Sequence, residues 1–153
     1  MEQFYTIQGE GFHRGKAAYF IRLAGCDVGC VWCDVKESWD AKNHSEKSIE
    51  EIISDVKNYP NEICVITGGE PAMYDLNEVT YALHSINKKI NLETSGAYTI
   101  NGNFDWVCLS PKKFKAPLEE NLKKADELKV IIFNQSDFEW AEMHKEKVSQ
   151  QCK

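Results

Sequence analysis

Short apolar runs alternate with amphipathic stretches along the chain, and the alternation predicts strands separated by helices. Apolar runs typical of buried strands lie at 18–23, 63–67, 90–93, 106–109 and 128–133. Apolar residues recur at helical spacing at 49–56, 76–86, 117–127 and 137–148. Ser48 and Glu51 form a capping-box pattern at the start of the first of these helices. Residues 4–16 are polar and glycine-rich, which predicts a loop ahead of the first strand.

Strands that alternate with helices at this spacing form parallel βα units. Five strands are too few to close an eight-stranded barrel. We therefore expect an α/β fold, a partial, open (β/α) barrel of parallel strands whose edge is covered by a partner subunit or by further residues. No repeat, low-complexity run or linker divides the sequence, which predicts a single domain over residues 1–153.

The composition argues against several classes of protein. A formal net charge of −6 argues against a dedicated nucleic-acid surface, which is usually basic, and favours a small substrate. No apolar stretch approaches the roughly 20 residues of a membrane span, and the first residues lack the pattern of a signal peptide. The chain is therefore predicted to be cytoplasmic, where thiols stay reduced. Among the six cysteines, Cys64 and Cys108 lie inside apolar runs and are predicted to be packing residues, while Cys152 carries no interpretation.

Three further cysteines stand close together directly after the first predicted strand. Cys26, Cys30 and Cys33 have the spacing C-x3-C-x2-C. Structural zinc sites and most electron-carrying iron–sulfur centres take four protein ligands, so three thiolates either use a distant fourth ligand or leave a coordination position open. The same spacing would fit the buried stripe of a helix, but Gly25 and Gly29 each weaken a helix by roughly 1 kcal/mol relative to alanine. The segment is therefore interpreted as a metal-binding loop.

Polar motifs follow four of the five predicted strands. The cysteine loop follows the first strand, and the others are 67–71 (Thr-Gly-Gly-Glu-Pro), 93–96 (Glu-Thr-Ser-Gly) and 110–112 (Ser-Pro-Lys). Parallel barrels and open sheets bind their ligands at the carboxyl ends of the strands. Each motif alone is typical of an ordinary turn, but their shared placement predicts one functional site on one face of the molecule.

These motifs resemble those of the radical S-adenosylmethionine (SAM) superfamily, in which a C-x3-C-x2-C loop after a strand is followed by a Gly-Gly-Glu-Pro segment. The resemblance implies that Cys26, Cys30 and Cys33 hold a 4Fe-4S cluster whose fourth iron is chelated by SAM. In that superfamily the cluster and SAM together supply a radical that removes hydrogen from the substrate, while the protein holds and orients both and excludes water.

Within the superfamily, the chain is similar to the 7-carboxy-7-deazaguanine synthase family over nearly its whole length. The resemblance is carried by 4–11 (Phe-Tyr-Thr-Ile-Gln-Gly-Glu-Gly), Arg22, the cysteine loop with Asp34, and the three motifs at 67–71, 93–96 and 110–112. The implied reaction converts 6-carboxy-5,6,7,8-tetrahydropterin to 7-carboxy-7-deazaguanine, with loss of ammonia and regeneration of SAM, in queuosine biosynthesis. The implied partners are the pterin substrate, an electron donor such as flavodoxin or ferredoxin, and a second copy of the chain in a homodimer.

The resemblance also implies the residues of the site. Those that match the family's substrate pocket are Ile7, Gln8, Gly9, Glu10, Arg22 and Thr67. Those that match its SAM contacts are Trp32, Cys33, Asp34, Gly69, Glu70, Ser95, Ser110, Pro111 and Lys112. The residue types suit this chemistry, because a carboxylate such as Glu10 accepts paired N–H bonds from the amino-pyrimidine edge of a pterin, and Arg22 can hold a carboxylate bidentately.

Two features depart from the family pattern. Many members have threonine where this chain has Val35, and the threonine hydroxyl ligates a magnesium ion that bridges to the substrate. Magnesium prefers hard oxygen ligands, so a site here would need water, backbone or Asp34 instead. Related chains also continue past the point where this one stops, and residues 150–153 contain no helix-ending glycine or proline, so we expect a C-terminal truncation.

Two other functions remain open on the sequence alone. An activase that places a glycyl radical on a partner protein would be equally short, but it has little use for Gln8, Glu10 and Arg22 as a pterin pocket. A non-catalytic zinc-binding module would combine the three cysteines with a fourth ligand such as His13 or His44. Both histidines lie in polar, lysine-containing stretches, which are typical of solvated surfaces.

Overall fold

The computed structural model describes all residues, 1–153, and contains one six-stranded sheet. Its strands are β1 (Glu2–Ile7), β2 (Ala17–Leu23), β3 (Ile63–Gly68), β4 (Lys89–Thr94), β5 (Trp106–Leu109) and β6 (Glu127–Leu128). Their order across the sheet is their order in the sequence. Strands β2 to β6 run parallel to one another, and β1 pairs with β2 in the antiparallel direction. The expected α/β fold with an open, mainly parallel sheet is confirmed.

Four helices follow or connect the parallel strands. They are α1 (Ile49–Lys57), α2 (Asn77–Ser85), α3 (Glu119–Lys124) and α4 (Gln135–Lys145). The predicted capping box of α1 is present, because the Ser48 hydroxyl accepts the Glu51 N–H at 3.2 Å and the Glu51 carboxylate accepts the Ser48 N–H at 2.7 Å. None of the helices has both the length and the apolar character needed to cross a membrane.

Alternate side chains of the strands face two different environments. The outer face packs against α1 and α2 and forms the main hydrophobic core, which includes Tyr19, Ile21, Ile52, Val56, Cys64, Ile66, Leu83, Ile90, Leu92 and Val107. The inner face carries a smaller cluster, made of Ala18, Phe20, Ile63 and Val65 with Phe4 packed against it. Because successive strand residues point to opposite faces, one sheet supplies both a core and a separate inner surface.

Two of the cysteines are buried in the sheet, as expected. Cys64 belongs to the main core and Cys108 lies on the neighbouring strand β5, almost fully covered. Burial raises the pKa of the Cys64 thiol to about 11 and that of the Cys108 thiol to about 12. Both side chains are therefore neutral packing groups at physiological pH.

The first residues contain a strand that the sequence pattern assigns to a loop. Glu2–Ile7 forms β1, with Phe4 opposite Phe20 and Glu2 opposite Arg22. The rings of Phe4 and Phe20 stack with their centroids 5.2 Å apart. β1 is an edge strand with half-buried or exposed side chains, so its sequence lacks the apolar run that marks a buried strand. Only residues 8–16 form the loop.

The last predicted strand is much shorter than expected. The sequence predicts a strand at 128–133, but only Glu127 and Leu128 pair with β5. The apolar residues at 131–133 are exposed, and Phe133 is 88% exposed. An apolar run forms a buried strand only where the tertiary structure covers it.

The two helices next to this short strand also have different limits from those predicted. α3 covers Glu119–Lys124 rather than 117–127. α4 begins at Gln135, two residues earlier than predicted, behind a capping box formed by Asn134 and Asp137. At the edge of β6, the main chain of Lys153 exchanges hydrogen bonds with Asp126 and Leu128, each at 2.9 Å.

Candidate active site

A cleft of about 500 Å³ opens at the carboxyl ends of β2 to β5. All four polar motifs contribute to its wall. Its lining includes Cys26, Cys30, Cys33, Asp34, Thr67, Gly68, Gly69, Glu70, Glu93, Thr94, Ser95, Ser110 and Lys112. The fold brings these segments together because the carboxyl ends of parallel strands meet at one edge of the sheet.

The three cysteines of the motif line this cleft as free thiols. Burial raises the pKa of Cys26 and of Cys30, and the thiols lie close enough for their charges to interact. No three His, Cys, Asp or Glu side chains converge tightly enough to hold a single metal ion. In a 4Fe-4S cluster each cysteine binds a different iron atom, and three cysteines that line one cleft fit such a cluster.

The cysteine loop is held by the Gly-Gly-Glu segment that follows β3. The Glu70 N–H donates to the Gly25 carbonyl at 2.8 Å, and the Gly69 N–H donates to the Leu23 carbonyl at 3.0 Å. A side chain at Gly69 would overlap the Gly25 carbonyl and the Cβ atom of Cys26. Glycine is therefore required at position 69 because two segments of backbone approach each other closely.

Glu70 is a buried carboxylate at the centre of a second set of contacts. It is 1% exposed, and its oxygens accept the Ala72 N–H at 2.9 Å and the Ser95 N–H at 2.8 Å. The hydroxyls of Thr94 and Ser95 donate to the same two oxygens. The side chains of Glu70 and Ser95, both matched to SAM contacts by the sequence, are thus already bonded to each other.

Residues 8–16 form a segment that we call the floor loop. Its first three residues, Gln8, Gly9 and Glu10, line the other side of the cleft together with the ends of β3 and β4. The Gln8 side-chain amide donates to one Glu93 oxygen at 2.9 Å, and the Thr67 hydroxyl donates to the other at 3.4 Å. Lys129 forms ion pairs with Glu10 at 2.9 Å and with Glu93 at 3.8 Å. Burial by itself lowers the pKa of Lys129, but the charges of Glu93 and Glu10 outweigh it, so the pKa is raised.

Two further cations line the cleft, one on β2 and one in the segment that follows β5. Arg22 of β2 has its Nε atom 2.7 Å from a Glu2 oxygen, but the N–H is not aligned for a hydrogen bond, so the contact is an ion pair only. Lys112 lies with its ammonium 2.5 Å from the Ser110 hydroxyl and 5.2 Å from the centre of the Trp32 ring. Burial lowers the pKa of Lys112, and the negative charge that Cys30 carries when ionised partly opposes this effect. A bound anion would favour the charged form of this lysine.

Most of the residues matched to the site from the sequence line the cleft, and two do not. Ile7 lies at the end of β1 with its side chain 63% exposed. Pro111 is buried beside a neighbouring groove. Val35 lines the cleft with an apolar side chain. The two histidines considered as zinc ligands lie elsewhere, since His13 packs on Trp106 and His44 bonds to the Glu37 carbonyl.

Two charged residues of the cleft were absent from the sequence-based site, Glu93 and Lys129. Glu93 belongs to the 93–96 motif, so its place at a strand end was a usable signal. Lys129 directly follows β6 and obeys the same strand-end rule. The predicted strand at 128–133 hid this signal, because it placed Lys129 inside a strand rather than after one.

The comparisons with known proteins agree with this geometry. The sequence pattern of the radical SAM superfamily matches residues 20–134. The chain is 53% identical over 149 residues to the 7-carboxy-7-deazaguanine synthase of Flavobacterium psychrophilum, covering 97% of this chain and 70% of that protein. It is 46% identical over 148 residues to the protein of the same name from Synechocystis, covering 97% and 71% respectively.

A solved structure shares the fold. The crystal structure of QueE from Escherichia coli superposes with a TM-score of 0.83 at 33% sequence identity, covering 93% of this chain and 74% of that chain. Similarity in sequence and in fold therefore extends over nearly the whole of the present chain. The chain belongs to the radical SAM superfamily and, within it, to the 7-carboxy-7-deazaguanine synthase family.

Proposed function

We propose that the chain converts 6-carboxy-5,6,7,8-tetrahydropterin to 7-carboxy-7-deazaguanine with loss of ammonia, as a step of queuosine biosynthesis. The observation that carries the proposal is a single cleft that contains the three cysteines together with the polar floor around Glu93. The cysteine loop and the floor loop are attached to opposite ends of β2, so cofactor and substrate would meet above one strand. The product is the one that the relatives' name states.

The pterin is proposed to bind over the floor loop. Its amino-pyrimidine edge presents N–H donors, which the carboxylates of Glu10 and Glu93 can accept. Glu93 is held in place by Gln8 and by Thr67, so its orientation is fixed before the substrate arrives. Gly9 has no side chain, and the side chain of Ile7 faces solvent, so these two residues would contribute only main-chain groups.

Arg22 is proposed to bind the substrate carboxylate. The guanidinium lines the cleft, and its only close acidic neighbour is Glu2, at the edge of the sheet. A guanidinium presents five N–H donors in a planar fork that matches a carboxylate. The ion pair with Glu2 would orient the arginine and leave its other donors for the substrate.

The cluster and SAM are proposed to occupy the side of the cleft next to the cysteine loop. When bound, they supply the radical that removes a hydrogen atom from the substrate. Cys26, Cys30 and Cys33 would hold the cluster. The remaining proposed SAM contacts are Trp32, Asp34, Gly69, Ser110, Pro111 and Lys112. Among these, Lys112 is a partly desolvated cation suited to a carboxylate.

Glu70 and Ser95 are proposed to act on the SAM site indirectly. Both oxygens of Glu70 already accept hydrogen bonds from within the chain. These bonds join the end of β3 to the end of β4. Their contribution to cofactor binding would therefore be the fixed position of the two loops.

One ligand of the wider family's magnesium site is missing from this chain. Position 35, where other members have a threonine hydroxyl, is a valine whose side chain lines the cleft with carbon atoms only. Magnesium requires oxygen ligands in near-octahedral geometry. We therefore propose a reaction that needs no metal ligand from residue 35.

The partners and location remain proposals of the same kind. A 4Fe-4S cluster needs reduced thiols, which is consistent with a cytoplasmic protein. One-electron reduction of the cluster calls for a small electron-transfer protein such as flavodoxin or ferredoxin. The exposed edge strand β1 offers one surface for the proposed homodimer. We also retain the proposal that residues 1–153 act as a single domain.

The proposal is tested by anaerobic reconstitution with iron and sulfide. The chain should become brown, bind iron, and form 7-carboxy-7-deazaguanine when supplied with the carboxytetrahydropterin, SAM and a strong reductant. Near-stoichiometric zinc without iron would instead support the zinc-binding module. Iron uptake and SAM cleavage without any deazaguanine would support the glycyl-radical activase.

A further inference from the structure

The floor loop joins two strands at one edge of the sheet, yet it also contacts the opposite edge. It leaves β1, returns as β2, and is closed at its base by hydrogen bonds of 2.8 Å from Gln8 to Lys16 and from Gly15 to Gln8. Strand β6 lies at the other end of the strand order. The loop therefore spans the inner face of the sheet, and its far end is held by residues of β5 and β6.

Glu127 of β6 is the centre of that far contact. Glu127 is a buried residue, only 8% exposed. One of its oxygens accepts the Phe12 N–H at 3.3 Å, and the other accepts the indole N–H of Trp106 at 3.0 Å. A side chain at Gly11 would overlap the Glu127 carboxylate, so the loop backbone lies directly against it. The carboxylate thus holds the loop through its main chain.

Trp106 of β5 also contacts the far end of the floor loop. Its ring stacks on the Phe12 ring, with centroids 4.7 Å apart and an interplanar angle of 18°. The Trp106 and His13 rings also pack edge to face, with their centroids 4.9 Å apart. Neither Trp106 nor Glu127 lines the main cleft; both line a small cavity that also borders Gln8, Glu10 and Glu93.

We propose that Glu127 and Trp106 are positioning residues that hold the floor loop against β5 and β6 and so set the affinity of the cleft for its pterin substrate. The inference rests on the proposed function, because it concerns the substrate side of that site. Gln8 and Glu10 reach the cleft only from this loop. If the far end of the loop were free, Gln8 and Glu10 would keep only their contacts with Glu93 and Lys129. Part of the ordering of the loop would then fall to the substrate, and binding would weaken.

The decisive variant is Glu127→Gln, which keeps the size of the side chain. A carboxylate accepts from both the Phe12 N–H and the Trp106 N–H, whereas an amide accepts from only one and opposes the other with its own N–H groups. We expect the KM for the carboxytetrahydropterin to rise by about tenfold to a hundredfold, as for the loss of a buried hydrogen bond. The KM for SAM, the iron content and SAM cleavage without substrate should stay unchanged. Glu120→Gln, at an exposed carboxylate on α3, is the matched control.

A second pair of variants tests the geometry itself. Trp106→Phe keeps an aromatic ring beside Phe12 but removes the indole N–H, so a smaller rise in the KM for the pterin is expected. The double variant Glu127→Gln with Trp106→Phe should recover part of the affinity lost in Glu127→Gln. In the double variant the glutamine oxygen still accepts from Phe12, and its amide no longer faces an indole donor. Recovery of the KM for the pterin, with an unchanged KM for SAM in all three variants, distinguishes positioning of the floor loop from a role in general stability.

The position of the loop can also be measured without any turnover. Arg14 is exposed within the floor loop, and trypsin cleavage after it, identified by mass spectrometry in the cluster-free protein, reports how often the loop opens. Glu127→Gln should be cleaved faster than the wild-type chain and the Glu120→Gln control. If the wild-type chain forms no deazaguanine, the proposed function fails, and this arm still decides whether Glu127 holds the loop.

Three outcomes would overturn the inference. The first is an unchanged KM for the pterin in Glu127→Gln with normal wild-type activity. The second is an unchanged cleavage rate after Arg14. The third is a parallel loss of iron, SAM cleavage and thermal stability, which would make Glu127 a residue of the general fold. If Glu127→Gln does not accumulate as folded protein, Trp106→Phe decides by the same measurements.

Discussion

Single buried side chains determine how firmly the walls of the cleft are joined. Glu70 is the clearest case, because it has almost no contact with solvent and its carboxylate accepts four hydrogen bonds from within the chain. Two backbone N–H groups and two hydroxyls satisfy its oxygens. A buried carboxylate without such partners would be strongly unfavourable. In the folded chain, hydrogen bonds within the protein replace the water that would otherwise solvate Glu70. These hydrogen bonds fix the ends of β3 and β4 relative to each other.

Glu70→Gln is expected to lower the free energy of unfolding by about 1–3 kcal/mol, because at least one buried donor loses its acceptor. Urea denaturation of the cluster-free protein measures this change, with an unchanged slope of free energy against denaturant. Glu139→Gln, at an exposed carboxylate on α4, should change stability by no more than about 0.5 kcal/mol. Equal stabilities of the two variants would show that the network around Glu70 contributes nothing.

Val35 is expected to make the reaction independent of magnesium. The side chain offers no oxygen at the position where the wider family has a hydroxyl, so product formation by the wild-type chain should be the same with magnesium and with a chelator. Val35→Thr should gain a severalfold stimulation by magnesium, since a hard ligand is restored next to Asp34. A wild-type rate that collapses when magnesium is removed would contradict this expectation.

At the scale of elements, the chemistry depends on how the segments after each strand fit together. The Gly-Gly-Glu segment after β3 and the cysteine loop after β2 are joined by backbone hydrogen bonds rather than by side chains. Backbone contact at this distance leaves no room for a Cβ atom at Gly69. The position of the cysteines is therefore set by the neighbouring strand as well as by their own loop.

Gly69→Ala should displace the cysteine loop and reduce the amount of iron retained after reconstitution to a small fraction of the wild-type value. Iron and sulfide analysis of the purified protein provides the measurement. Gly9→Ala is the matched control, because nothing lies within 4 Å of a Cβ atom at that position. Full iron retention in Gly69→Ala would mean that the loop can shift without losing its ligand geometry.

At the scale of the whole molecule, the two faces of the sheet have separate roles. The outer face and the helices form the main core, while the inner face and the strand ends form the cleft. Leu83 is 0% exposed in the outer core, and Thr67 lies at the cleft with its hydroxyl on Glu93. Stability and substrate binding should therefore respond to different substitutions.

Leu83→Ala is expected to lower the free energy of unfolding by about 2–5 kcal/mol through the cavity it creates. Its KM for the pterin should match that of the wild type at temperatures where it stays folded. Thr67→Val should show the reverse, with stability changed by less than about 1 kcal/mol and a KM raised about tenfold. Denaturation curves and steady-state kinetics on both variants provide the test, and a KM that changes in Leu83→Ala would argue against the separation.

Local sequence predicted the elements that are buried and regular. The strands at β2, β3, β4 and β5 and the capping box of α1 follow from apolar runs and from Ser48 with Glu51, since these signals depend on neighbours within a few residues. β1 was not predicted because an edge strand with exposed side chains lacks a regular pattern of apolar residues. The strand prediction at 128–133 was wrong because apolar residues can remain exposed, as those at 131–133 do.

The sequence by itself determined where the site lies. The polar motifs follow successive strands, and the carboxyl ends of parallel strands meet at one edge of the sheet. The spacing of Cys26, Cys30 and Cys33 left both a cluster and a zinc site open, and the kind of cofactor followed from the resemblance to the radical SAM superfamily. Only the tertiary structure decided that Glu93 and Lys129 meet Gln8 and Glu10, and that Glu127 holds the loop from the far edge. These pairs are 85 to 119 residues apart in the chain. Their contact results from the curvature and packing of the whole sheet, which no local pattern encodes.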